Sequence, residues 1–263
     1  MQNAIKVILT GVMLVFLTSS AFCGDSPESD EWEFYITPYF WAPSLDFDST
    51  VSGQTAPIDL SFSDVLDDFD VFGLSAHTEA WKGRLGFIFN GDYIDLDTDA
   101  SVKSGPVAVN ADVDITDTTI DFGIAYRFDA SEKIQIAPYG GLRYHYLKQE
   151  IKVKAAIGGH PTGTTLGTSY DWLEPLVGIK MALGLTDNLS FLVKGDASGF
   201  GVGSASDLTW NVWAAFDYKF SEKHSLKLGY RYYNMDYSRG NGAEEFGFDG
   251  SEQGPIIGFT FKL

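Results

Sequence analysis

From residue 33 onward the chain alternates large apolar and polar side chains with a period of two, the repeat of a strand that has one greasy side. In 254–263, Pro255, Ile257, Phe259, Phe261 and Leu263 share one face, while Ile256, Gly258, Thr260 and Lys262 share the other. In 207–220, Leu208, Trp210, Val212, Ala214, Phe216 and Tyr218 oppose Asn211, Trp213, Ala215, Asp217 and Lys219. The same split runs through 226–233, 189–198 and 173–183, then through 134–146, 119–128, 84–93, 72–80 and 33–41. These segments predict an all-β fold of antiparallel strands, each with one apolar and one polar face.

Connections between the strands come in two lengths. Short polar turns stand at 82–83, 129–133, 186–188 and 221–224, and long segments at 43–70, 95–112, 150–168 and 239–253. Aromatic residues sit at strand ends on the apolar face, as in Tyr126 with Phe128, Tyr218 with Phe220, and Phe259 with Phe261. Short turns at one end, long loops at the other and aromatic girdles are the pattern of a transmembrane β-barrel. The pattern predicts about ten strands, with eight or twelve as alternatives, of roughly 9–11 membrane residues each. Segments 45–51 and 58–62 are read either as an extracellular hairpin or as two further wall strands. Residues 63–69 (SDVLDDF) predict a short helix with Ser63 as its N-cap.

The N-terminus has another character. Lys6 is the only charge before Asp25, and an apolar run over 7–17 is followed by small residues. That is a secretory signal peptide, cleaved after Ala21 or after Cys23. We therefore divide the chain into a leader (1–23), a periplasmic tail (24–31) and a barrel (32–263). The apolar run is too short to cross a bilayer as a helix. No later stretch is longer, so any membrane role falls to strands.

Composition narrows the picture. Thirty-six acidic residues stand against 18 basic ones, for a formal charge of -18. Such acidity argues against nucleic acid as a partner, since phosphate binding needs a Lys/Arg surface. A single cysteine excludes a disulfide framework and a cysteine zinc site. No motif calls for a cofactor.

Five phrases carry a resemblance. Thr37-Pro38-Tyr39-Phe40-Trp41-Ala42, the run 59–66 (DLSFSDVL), Gly199-Phe200-Gly201-Val202-Gly203-Ser204 and Gly229-Tyr230-Arg231-Tyr232 resemble a family of uncharacterised Gram-negative outer-membrane β-barrel proteins. The ending Phe259-Thr260-Phe261-Lys262-Leu263 is similar to the terminal strand signal read by the barrel assembly machinery, although Leu263 stands where Phe is usual. The resemblance implies a barrel in the bacterial outer membrane, with lipid, lipopolysaccharide and the assembly machinery as partners. It implies no activity and no site residues.

The polar faces supply the candidate chemistry. Acids Glu33, Glu79, Asp92, Asp121, Glu174, Asp196 and Asp217 and bases Arg84, Arg127, Arg143, Lys180, Lys194, Lys219, Lys227 and Arg231 are all expected in the lumen, with His77 and His145. In so narrow an interior, opposite charges are expected to pair, because a bare buried charge is costly. The same residues would line a solute-selective pore if the lumen were open. His77 beside Glu79, or His145 beside Arg143, would be the acid–base group of a barrel-embedded hydrolase. The acid excess falls in the long segments. There Asp95, Asp97 and Asp99 are weak candidates for a divalent cation, lacking the glycine and closing glutamate of a calcium loop. The glycines of 199–204 are read as a tight outer turn rather than an anion cradle. Three functions remain open: a narrow pore or binder for a small solute at the cell surface, a non-conducting structural or surface-interaction barrel with acidic loops, and a hydrolase.

Overall fold

The structure, a computed structural model, describes residues 31–61, 71–104, 107–157 and 160–263. The leader, most of the tail and the helix expected over 63–69 lie outside the described residues. Thirteen strands follow one another: β1 (Trp32–Trp41), β2 (Ser44–Val51), β3 (Gln54–Leu60), β4 (Val71–Lys82), β5 (Leu85–Ser104), β6 (Val107–Tyr126), β7 (Phe128–Ser131), β8 (Ile134–Ile157), β9 (His160–Gly184), β10 (Leu189–Ser198), β11 (Leu208–Lys219), β12 (His224–Arg239) and β13 (Phe246–Lys262). Ten form the wall, in the order β1-β4-β5-β6-β8-β9-β10-β11-β12-β13. Antiparallel pairing of β1 with β13, Tyr35 opposite Lys262 and Trp41 opposite Ile256, closes the cylinder. Closure leaves no unpaired edge, which is what a sheet in lipid requires.

The β2–β3 hairpin is not part of the wall. β2 pairs with the upper half of β13, Val51 opposite Phe246 and Ser44 opposite Gln253, so the hairpin stands above the closure seam. β7 continues β6 after a break at Arg127 and pairs only with β8. Among the described residues the helical structure is one 3-10 turn, Gly242–Glu244.

The expected long loops over 95–112 and 150–168 are instead strand. β5 with β6, and β8 with β9, run on as antiparallel ribbons of 20 to 25 residues per strand. The reason lies in the alternation, which continues but changes sides. Below Tyr93 the outward residues of β5 are Leu85, Phe87 and Phe89, and the inward ones include Asn90 and Asp92. Above it, Asp95 and Asp97 face outward while Ile94 and Leu96 are buried. Along β8, outward Leu142, Tyr144 and Tyr146 give way to Lys148 and Glu150, and inward Arg143 and His145 to Leu147 and Ile151. The inversion falls on one continuous row, Tyr93–Thr118–Tyr146–Asp171. Below the row the outward face meets lipid and above it water, so the row marks the upper membrane boundary.

Leu173, Val177 and Ile179 on β9 and Phe216 on β11 are each about half exposed on the lower outward face, a level of apolar exposure that water would not tolerate across a whole wall. Val177→Arg, near mid-wall, is therefore expected to cost about 2–4 kcal/mol in reversible unfolding from lipid vesicles. A cost near zero would mean that this face does not meet hydrocarbon.

Candidate functional site: the lumen

Inward residues stack in layers from the short turns upward. At the base, Glu33 on β1 accepts hydrogen bonds from Lys262 Nζ (2.5 Å) and Arg127 Nη2 (3.4 Å). Arg127 also lies over the Trp81 ring, 4.9 Å from its centroid. Arg84 occupies the β4–β5 turn, where its carbonyl accepts the Arg127 N–H at 2.8 Å. One layer up, Glu79 accepts from Trp81 Nε1 (2.8 Å), His77 Nε2 (2.9 Å) and Lys180. Opposite them, Lys227 donates to Thr260 Oγ1 (2.5 Å) and lies 3.4 Å from Asp217.

The middle layer is built on two arginines. Arg143 sends Nε and Nη2 to Asp121 (2.6 and 2.9 Å), Nη2 also to Asp196 (2.7 Å), and Nη1 to Ser198 (3.0 Å). Asp196 is held further by Tyr139 (2.9 Å), Asn211 (3.0 Å) and Lys194 (3.4 Å). Arg231 reaches across the barrel to Asp92 (3.0 and 3.2 Å), donates Nε to Asn211 Oδ1 (2.9 Å), and stacks on Trp41 at 4.2 Å. Tyr39 and Asn90 donate to the same Asp92 at 2.6 and 2.7 Å. Arg143 is 1% exposed, so its charge is wholly dependent on these partners.

Above the arginines, Glu174 collects Ser198 Oγ (2.5 Å), Ser206 Oγ (2.7 Å), the Ser206 N–H (3.2 Å) and Trp172 Nε1 (3.0 Å), and lies 3.1 Å from His145 Nε2. His145 is fully buried, stacked on Trp172 at 4.7 Å, with Thr119 3.2 Å from its Nδ1. The Gly-rich segment 199–204 explains itself here. Gly199 has φ +92°, and a Cβ on it would stand 2.2 Å from Ser206 Oγ. Glycine thus turns the chain so that Ser206 can reach Glu174; the anion the loop serves is the protein's own carboxylate.

The mouth is mainly apolar, with Ser49 and Gln149 buried among its side chains. Leu45, Phe47 and Ile58 of the β2–β3 hairpin pack with Leu147 of β8, Tyr237 of β12 and Phe248 of β13 into one buried cluster, and Phe47 stacks on Phe248 at 4.4 Å. Glu252, which its position among the last acidic residues would place outside, is 6% exposed and faces inward. Beneath the arginine layer the lumen is hollow. A cavity of about 220 Å³ extends from Gln135 and Arg127 near the short turns up to Asn90 and Arg231.

Sequence reasoning missed the residues that complete these layers: Tyr39, Tyr139, Ser198, Ser206, Asn211 and Trp213. Their parity put several of them on inward faces, but nothing in the sequence says which of them reach across to other strands.

The outer acids behave differently. Asp236, Asp249 and Asp48 stand directly opposite one another on three neighbouring strands, as do Asp46 and Asp59. Asp95 and Asp97 alternate along the outer face of β5. The side chain of Asp99 lies outside the described residues. Among the described residues no group of three or more His, Cys, Asp or Glu has the geometry to hold a metal. Partial burial and the Asp249 and Asp207 carboxylates raise the Asp236 carboxyl above its ordinary value. A raised carboxyl weakens the fold once it is ionised and is harmless when protonated. Asp236→Asn should therefore raise the melting temperature slightly at neutral pH, with the gain vanishing below about pH 4, where the unfolded carboxyl also binds its proton. A gain that persists in acid would point to a different cause.

Removing a guanidinium from the middle layer should do the opposite. Arg143→Met leaves Asp121 and Asp196 buried beside an apolar side chain, and a loss of about 3–5 kcal/mol is expected in equilibrium unfolding. A loss below about 1 kcal/mol, the scale of a surface pair, would mean that water screens this layer.

Known proteins place this architecture. A sequence search of curated proteins finds no match. Among solved structures, the outer membrane protease OmpT of Escherichia coli superposes with a TM-score of 0.59 at 6% identity, covering 91% of this chain and 99% of that one. The translocator domain of the autotransporter NalP from Neisseria meningitidis gives 0.40 at 12% identity, covering 100% and 98%. The transport unit of the autotransporter AIDA-I from Escherichia coli gives 0.42 at 7%, covering 98% and 97%. At these identities the likeness to OmpT is one of fold alone. The family model of the outer membrane protein beta-barrel domain matches residues 14–252, nearly the whole chain. With a closed ten-strand wall, a lipid-facing belt and that match, the chain belongs to the outer membrane protein beta-barrel domain family and is an integral protein of the bacterial outer membrane.

Proposed function

We propose that the protein is a non-conducting outer-membrane barrel that presents an acidic β-surface outside the cell. The observation that carries this reading is the double closure of the lumen. Arg143 and Arg231 with their carboxylates fill its middle, and the apolar cluster fills the end above. An ion passing through would have to part ion pairs 1 to 5% exposed and then cross a mainly apolar layer. The short turns are the periplasmic side in barrels of this kind, which puts the ribbons and the β2–β3 hairpin outside. Their outward carboxylates would face lipopolysaccharide headgroups, with mobile divalent cations lowering the repulsion.

The pore reading draws its support from the cavity under the arginines, but that cavity ends at Arg231. The hydrolase reading is weakest at His145, which no substrate can touch without displacing Trp172 and Glu174.

Reconstitution of the refolded barrel in planar bilayers tests the proposal. No reproducible single-channel steps are expected at moderate voltage. Steps of uniform size, lost when the barrel is heat-denatured, would sink it.

A further inference from the structure

The wall is closed within the membrane, but the sheet above it is not. β10 ends at Ser198, opposite Leu176, and β11 begins at Leu208, opposite Asp236. β9 runs on above Leu176 to His160 and there pairs with β8 alone. The Gly199 N–H donates to the Pro175 carbonyl at 3.3 Å, which fixes the side on which Pro175 presents its main-chain groups. Successive residues of a strand alternate in this respect. Asp171, Ser169, Gly167 and Thr165 therefore turn their N–H and C=O groups the same way as Pro175, into the opening, and all are exposed. Their register with β8 is continuous, so no bulge bends the edge away. Residues 164–170 contain neither proline nor charge. β3, which ends the sheet beyond the closure seam, carries Pro57 and Asp59, the usual devices against strand addition. The β9 edge has none of these.

Behind the opening the core is already shut. Trp172 stacks on Tyr237 at 3.8 Å, Tyr170 meets Phe246 at 4.8 Å, and Arg239 lies 4.9 Å over the Tyr170 ring. What is missing is main-chain bonding, not packing, and a guest has only to lie along the edge as a strand. Charge narrows the guest further. Asp171, Asp207 and Asp236 are exposed around the lower rim, and Asp207 and Asp249 stand close enough to Asp236 to raise its carboxyl. A basic strand relieves that repulsion and an acidic one adds to it. We propose that the free edge of β9 is a docking site for one extended, basic segment of a partner protein, added to the sheet outside the cell by main-chain hydrogen bonds. A second copy of the barrel is a poor match. Barrel strands tilt by about 35–45°, so two copies in one membrane, related by an axis along its normal, bring their edges together crossed rather than aligned. The proposal shares with the surface reading the placement of the ribbons outside, but it does not need a closed lumen: channel steps would sink that reading and leave this one intact.

Fluorescence anisotropy with the barrel refolded in phosphatidylcholine nanodiscs tests the edge. The probe is a labelled, end-capped peptide of alternating valine and lysine, about eight residues long. Empty nanodiscs give the background, and a second peptide has glutamate in place of lysine. Saturable binding of the lysine peptide is expected at about 0.1 mM or tighter, with the glutamate peptide at least about tenfold weaker. Methylating one alternate set of peptide nitrogens should abolish binding and methylating the other should spare it, because an added strand bonds the edge along one side only. Ser169→Pro removes a donor that faces the opening and leaves the β8 ladder whole. It should weaken binding about tenfold or more, and heat-modifiable gel migration shows whether the variant is folded. The methylated peptides need no variant, so they decide the matter even if Ser169→Pro fails to fold. The proposal is overturned if the lysine peptide does not bind, if the glutamate peptide binds as tightly, if both methylated sets bind like the parent, or if folded Ser169→Pro binds like the parent. It is overturned equally if light scattering finds a dimer that Ser169→Pro dissolves, since the edge would then belong to a second copy.

Discussion

Every wall strand has two faces, and lipid claims one of them. That constraint orders the rest of the molecule. Once Leu142, Val177 and Phe216 are committed outward, their neighbours at the next position must point into the barrel, where a ten-strand circumference leaves little room. Side chains from opposite walls then meet, and the charged ones must meet an opposite charge. Arg231 on β12 finds Asp92 on β5, far away in the chain, because the lumen is narrow enough for a guanidinium to span it.

Above Tyr93 and Tyr146 the constraint is lifted and the pattern reverses. Water replaces lipid outside, so carboxylates and lysines take the outward positions, and the inward ones become Ile94, Leu96, Leu147 and Ile151. The ribbons thereby behave as an ordinary water-soluble sheet stacked on a membrane sheet. Their apolar sides cannot stay open to water, and the β2–β3 hairpin supplies part of the cover. The same physical rule thus produces a polar core within the membrane and an apolar core outside it.

This division also explains what could be read from the chain alone. Period two, the short turns and the parity of Glu79, Arg143 and Asp196 are local properties, so wall and lumen were legible together. The ribbons are unlike wall strands in sequence because 95–112 is acidic, 150–168 is rich in Gly and Thr, and neither has an apolar outward face, yet the alternation persists in them with its phase inverted. Asp95 and Asp97 beside Ile94 and Leu96 carry that signal in plain view. Glu252 lies in one of the long acidic segments, yet its parity turns it inward. Contacts across the lumen were not legible at all. Whether Arg127 reaches Glu33, or Arg143 reaches both Asp121 and Asp196, depends on strand stagger and barrel radius, and neither is encoded within a single strand.

The layers differ in how completely their polar groups are satisfied. The charged groups Arg143, Arg231 and Glu174 are each held by several hydrogen bonds, as a buried charge demands if it is not to unfold the barrel. Unpartnered buried atoms occur on both sides of this layer, Trp41 Nε1, Asp117 Oδ1 and the Gln149 amide beside or above it and His77 Nδ1 and Asp217 Oδ1 below, while toward the short turns the charged side chains become a fifth to two-fifths exposed. Stability alone would favour finishing those bonds, or replacing the groups by apolar ones of similar volume. The filling of the lumen at its middle and upper end follows from where the arginines and the apolar cluster sit along their strands.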